Sequence, residues 1–145
     1  MKAVLLSHFA ATLFMTGVIW FVQVVHYPLF SRVRGDGFEV YAALHGRLTT
    51  WVVAPPMLVE LLTGALLLWR RPVEVGLPPT AVGFALILVV WLSTLLLQVP
   101  QHTTLGTGFE NAAHRTLVLT NWLRTAAWTL RSLLVLWMIA AMVEG

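Results

Sequence analysis

The sequence predicts an all-α integral membrane protein: an antiparallel four-helix bundle with both termini on the same side of the bilayer. Three observations predict it. Four apolar stretches recur along the 145 residues, each close to the roughly 20 residues a helix needs to cross the hydrocarbon core. Only 10% of the residues are charged against 59% hydrophobic, with a mean hydropathy of +0.83, whereas a soluble domain carries about 25% charged residues. Each stretch also has one polar stripe, which a bundle can turn away from lipid.

The composition also excludes several function classes. The formal charge of +3 comes from nine Lys/Arg against six Asp/Glu, and these are scattered without a basic run, so nucleic acid is not an expected partner. Without cysteine, the chain has no disulfide, thiolate metal ligand or cysteine nucleophile. There is no repeat, low-complexity tract or second domain, so residues 1–145 read as a single transmembrane domain.

The first span, about 3–25, follows Lys2 and runs into Gln23, His26, Tyr27 and Pro28 with no small-residue cleavage pattern. It is longer than a signal-peptide core of about 7–15 residues and reads as a retained helix. Arg34-Gly35-Asp36-Gly37 signals a turn, and residues 38–45 read as a short amphipathic helix leading to the second span, about 48–69. Pro55-Pro56 predicts a kink there. Arg70-Arg71-Pro72 and Gly76-Leu77-Pro78-Pro79 leave a short link, which makes the second and third spans antiparallel neighbours. The third span covers about 80–99, Thr103 to Gly108 reads as a loop, and the fourth span covers about 117–143.

Residues three or four apart share a helix face. On that spacing the stripes are His8, Thr12, Thr16, Gln23 and His26; His45, Thr49, Pro56, Glu60 and Thr63; Thr94, Gln98 and, if the helix survives Pro100, His102; and Glu110, His114, Asn121, Arg124 and Arg131. Alternating helix directions bring His26, His45, His102 and His114 to the side opposite the termini. His8 is left alone near the terminal side and reads as structural.

Four imidazoles at one end of a bundle point to a metal centre. Neutral imidazole ligates iron, copper and zinc, and bundle interiors hold such centres. His26, His45, His102 and His114 are therefore the expected ligands of a transition metal, helped by Gln98, Asn121 or the acids Glu39, Glu60 and Glu110. No local two-ligand motif is present, so the expectation rests on topology; a haem with paired axial histidines is the alternative. The bland counterpart is that interfacial histidines bond headgroups, loop carbonyls and one another. Glu60, about 18 Å along its helix from Leu48 at 1.5 Å per residue, reaches the depth of Arg131 and predicts a buried ion pair. Of the seven tryptophans, Trp51, Trp69 and Trp122 fall near span ends as interface anchors. Trp20, Trp91, Trp128 and Trp137 lie deeper, as packing residues or the lining of an apolar cavity.

Gln98-Val99-Pro100-Gln101-His102 followed by Asn121-Trp122-Leu123-Arg124-Thr125 resembles the small four-helix membrane proteins grouped with the anthrone oxygenases. The resemblance covers the second half of the chain, with Val25-His26-Tyr27-Pro28 its counterpart in the first. It implies an oxidoreductase acting on a small aromatic or quinone-like molecule, with Gln98, His102, Asn121 and Arg124 as site residues. Combined with the histidines, the expectation is a membrane-embedded, metal-dependent oxidoreductase in which Gln98, Asn121 and Arg124 orient the substrate or stabilise developing negative charge.

The competing functions are a haem-binding electron-transfer protein, a small transporter or channel subunit with Glu60 as the protonatable group, and an assembly subunit without chemistry. Expected partners are the lipid bilayer, a small hydrophobic substrate and, in an assembly, further copies of the chain as a homo-oligomer. Lys2, Arg70 and Arg71 lie on the terminal side, against Arg32, Arg34, Arg47 and Arg115 on the other. Because Arg47 and Arg115 adjoin the proposed site, the termini are expected in the cytoplasm, with the protein in a cell's inner membrane.

Overall fold

A computed structural model describes residues 1–33 and 37–144. They form four long helices: α1 Lys2–Phe30, α2 Phe38–Trp69, α3 Leu77–Leu105 and α4 Asn111–Glu144. All four are long and apolar enough to cross a membrane, and no strand occurs among the described residues. Of the turn expected over Arg34-Gly35-Asp36-Gly37, only Gly37 lies among the described residues.

Each helix outruns the span expected for it, and the reasons are local. Residues 38–45 are the first turns of α2 itself, because Phe38, Ala42, His45 and Thr49 step by four, three and four and continue one face into the span. Proline lacks an N–H and its ring crowds the carbonyl four residues back. Before both Pro28 and Pro100 the helix widens into a π-helical turn, over Val22–His26 and Thr94–Gln98, which relieves that crowding. The helix therefore survives Pro100, and α3 takes in much of the loop expected at Thr103 to Gly108. At Pro55 and Pro56, where a kink is expected, α2 remains helical throughout.

The polar stripes face inward. His8, Thr12, Gln23, Glu60, Gln98, Asn121, Arg124 and Arg131 are all buried, whereas Leu6, Phe21, Trp51, Leu62, Leu96 and Leu133 are exposed. So much outward apolar surface is tenable against lipid rather than water. In lipid, apolar burial between helices contributes little, so packing and interhelical hydrogen bonds must hold the bundle.

Three apolar clusters stack along it. Tyr27, Phe30, Phe38, Leu105 and Leu117 bring together the end of α1, the start of α2, the end of α3 and the start of α4. Met15, Ile19, Met57, Val90 and Trp128 form the middle layer. Leu5, Leu67, Val75, Val135 and Met138 form the third. Between α2 and α3 the backbone passes through Gly76 at φ 73°, a left-handed conformation that glycine adopts without steric cost.

The tryptophans divide differently from expectation. Trp128 is fully buried, but Trp20 and Trp137 lie on the exposed outer surface with Trp51, Trp69 and Trp122. Trp20 stacks edge-on against Trp122 and donates from Nε1 to Thr129 Oγ1 at 3.0 Å, so it packs on the outside of the α1–α4 seam.

Candidate functional site

The π-helical turns lie where the site side chains enter the bundle. The first ends on the half-buried His26 and is followed by the buried Tyr27; the second ends on Gln98 and is followed by His102, and of these Tyr27, Gln98 and His102 face one space. With α2 and α4 these residues enclose a cavity of about 420 Å³, lined by Tyr27, His45, Thr49, Thr94, Gln98, His102 and Arg124 together with Met15, Ile19, Val22 and Val53. Pockets for small molecules run from about 300 to 1,000 Å³, mostly apolar with a few placed polar groups. Of its further lining residues, Arg47 on α2 and Thr103 on α3 are exposed, with Gly46 and Gly106 beside them.

Its polar wall is a set of hydrogen bonds. Tyr27 Oη lies 2.9 Å from His102 Nε2, with the Arg124 guanidinium beside the same phenol. Arg124 is donor-only, so toward it the phenol oxygen can only accept, while the direction between phenol and imidazole follows the His102 tautomer. Arg124 Nη1 also donates to Asn121 Oδ1 at 3.3 Å, Asn121 Nδ2 to Gln23 Oε1 at 2.8 Å, and Gln23 Nε2 to the Val118 carbonyl at 3.2 Å. Gln98 Nε2 donates to Thr120 Oγ1 at 2.7 Å.

Two atoms of this wall have no partner: the buried Gln98 Oε1 and Arg124 Nε. A buried acceptor or donor left unpaired costs about 1–3 kcal/mol, more for a charged group. Both side chains line the cavity, but the two atoms themselves are shut off from it, so a ligand would recover that cost only by turning the Gln98 amide or the Arg124 guanidinium toward itself.

The four histidines do not close into one metal shell. His26 Nε2 lies 2.8 Å from His45 Nδ1, which also meets Thr49 Oγ1 at 3.1 Å; His102 is bonded to Tyr27. His114 turns away and bonds the Tyr27 carbonyl through Nε2 at 2.7 Å, with its ring against Phe30 and Phe109. Among the described residues no three His, Asp or Glu side chains converge into a metal-holding group. Of the acids, Glu39 and Glu110 are exposed and Glu60 belongs to a separate network. Nor can His26 and His45 be paired haem ligands as placed. Axial nitrogens must stand about 4 Å apart, twice a metal–imidazole bond of about 2.0–2.1 Å, whereas these two are in direct contact. The imidazoles form a hydrogen-bonding set, and as placed they gather no three-ligand group for the expected iron, copper or zinc among the described residues.

The ion pair is present. Arg131 Nη1 lies 2.7 Å from Glu60 Oε1, both side chains being almost wholly buried. The two atoms are in charge contact, although neither meets the angle of an aligned hydrogen bond. Trp128 Nε1 donates to Glu60 Oε2 at 2.9 Å, and Arg131 Nη2 reaches His8 Nε2 and Thr12 Oγ1, each at 3.3 Å. His8 Nε2 therefore accepts, leaving Nδ1–H to donate to Thr63 Oγ1 at 2.7 Å. His8 thus extends a network tying α1, α2 and α4. Trp128 stands between this network and the cavity, its ring 5.3 Å from the Arg124 guanidinium carbon.

Compared with family models, curated proteins and solved structures, the chain matches none of them. Its chemistry therefore has to be read from its own side chains.

Of the expected site residues, Gln98, Arg124, His45 and His102 meet at the cavity. Asn121 stands behind Arg124 and positions it. His26 borders a neighbouring groove, and His114 fastens α4 to α1. Sequence reasoning passed over Tyr27 as a site residue, although it lies four residues beyond Gln23 and so continues the same stripe.

Proposed function

We propose that the cavity binds a small hydrophobic molecule carrying a carbonyl or phenolic oxygen, an aromatic or quinone-like compound, and that the protein is a membrane-embedded oxidoreductase acting on it. The single observation that supports this reading is the convergence of Tyr27, His102, Arg124 and Gln98 on one largely apolar cavity. Arg124 addresses an oxygen that bears or develops negative charge, and Gln98 Oε1 accepts from a hydroxyl. Tyr27 and His102 form a relay along which a proton can leave the ligand.

Oxidation of a hydroquinone to its quinone releases two protons and two electrons. The relay passes the two protons on one at a time, each from Tyr27 to His102 and then to water, and an external acceptor takes the two electrons. The resemblance of Gln98 to His102 and Asn121 to Thr125 to the anthrone oxygenases points to the same class. Transport through Glu60 is less well supported, because both its oxygens are engaged and the fully buried Trp128 fills the space between it and the cavity. The test is turnover of 1,4-naphthohydroquinone with an added electron acceptor. Tyr27→Phe keeps the ring in its core and removes the relay, so the rate should fall by about 10²-fold or more. No turnover by the wild type, or an unchanged rate in the variant, contradicts the reading.

The helices run antiparallel, with both termini and the link around 70–76 on one side, in the cytoplasm of a cell whose inner membrane the protein spans. The layer joining Leu5, Leu67, Val75, Val135 and Met138 supports the shared side, and Lys2, Arg70 and Arg71 support the orientation. Val73 is 94% exposed and the chain has no cysteine. Val73→Cys should therefore react with a membrane-impermeant maleimide only after the cells are opened; labelling of intact cells contradicts this orientation.

A further inference from the structure

A second hollow, of about 460 Å³, lies between α1 and α2. Gly17, Phe21, Leu48 and Val52 form its outer part, and His26 and His45 stand at one end. Val18, Val22, His45, Thr49 and Val53 line both this hollow and the cavity, so the two spaces adjoin across one thin wall. From Gly17 to His26 it follows about 13 Å of helix at 1.5 Å per residue. Apart from the two histidines and Thr49, every lining residue is glycine or apolar. A Cβ built on Gly17 meets no atom within 4 Å. The outer residues Phe21, Leu48 and Val52 are exposed, so on a chain that spans the bilayer this hollow opens sideways into lipid.

We propose that this groove is the berth of an apolar tail, and that the ligand is an amphipathic lipid: an oxygen-bearing ring in the cavity, bearing an isoprenoid or alkyl chain that lies along α1 and α2. The inference rests on the proposed function and names its substrate class. A ring held by Arg124 and Gln98 must send any substituent out of the cavity, and the groove offers an exit that never meets water. Lipid tails are as apolar as the groove wall, so the tail gains little affinity there. What the groove fixes is the path of entry and the orientation of the ring. The His26–His45 hydrogen bond stands where ring and tail would join, and must yield or be bypassed as the ring passes.

The test compares 1,4-naphthoquinone with its 2-decyl derivative, binding each to the full chain in lipid nanodiscs. Gly17→Phe fills open space, and Val52→Trp fills the groove from the facing helix. Each should weaken the decyl compound at least tenfold while leaving the tail-less compound within about twofold, which also shows that the variants fold. Equal binding of the decyl compound to wild type and both variants overturns the inference and leaves the cavity reading standing. So does selective weakening by Gly46→Phe beside the exposed Arg47 instead, since the tail would then leave on the other side of α2. Saturable binding of neither compound by the wild type overturns both.

Discussion

Replacing Arg131 by Met should lower the unfolding temperature in detergent by roughly 10–15 °C. The change leaves Glu60 buried and charged with Trp128 Nε1 as its remaining partner. Breaking a buried ion pair from one side costs about 3–5 kcal/mol, and for a chain of this size each kcal/mol moves the midpoint by about 3 °C. Glu60→Gln should cost a similar amount, because the Arg131 charge would lose its counter-ion and keep only the neutral His8, Thr12 and the new amide. The double variant Glu60→Gln, Arg131→Met leaves no buried charge behind, so it should be more stable than either single one. Additive losses would show that the two residues do not act as a pair.

Replacing Arg124 by Met should act on ligand binding instead. Methionine keeps much of the apolar contact with Trp128 and loses the cavity's charged donor. A hydrogen bond to a charged group contributes about 1.5–3 kcal/mol, which at 1.4 kcal/mol per tenfold is roughly a 10- to 150-fold rise in the dissociation constant for 1,4-naphthoquinone. Titration of wild type and variant in the same detergent measures it. Equal affinity would mean that Arg124 serves only to hold Asn121 and Tyr27.

The four helices and their inward faces were legible because two strong signals agree: apolar length, and a stripe at steps of three and four. Glu60 and Arg131 were readable as a pair for the same reason, since both lie on stripes and at matching depth. The helix ends were not legible. Proline at 28 and at 100 marks a boundary in sequence, yet a wider turn before each lets the helix continue. The histidines show the limit of depth as an argument: four imidazoles reach one end of the bundle, but what they do there depends on where each ring points. His114 points at the Tyr27 carbonyl and His26 at His45, and no spacing rule could have specified either. Tyr27 was missed because its neighbour His26 took the stripe position that Tyr27 occupies in the folded chain.

The central claim is that Tyr27, Gln98, His102 and Arg124 make one binding site for an oxygen-bearing aromatic molecule. Calorimetric titration of the purified chain with tail-less 1,4-naphthoquinone tests it most directly. The account predicts one saturable site per chain, abolished when Gln98→Leu is combined with Arg124→Met. Non-saturable partitioning, or a site that survives the double change, would contradict it.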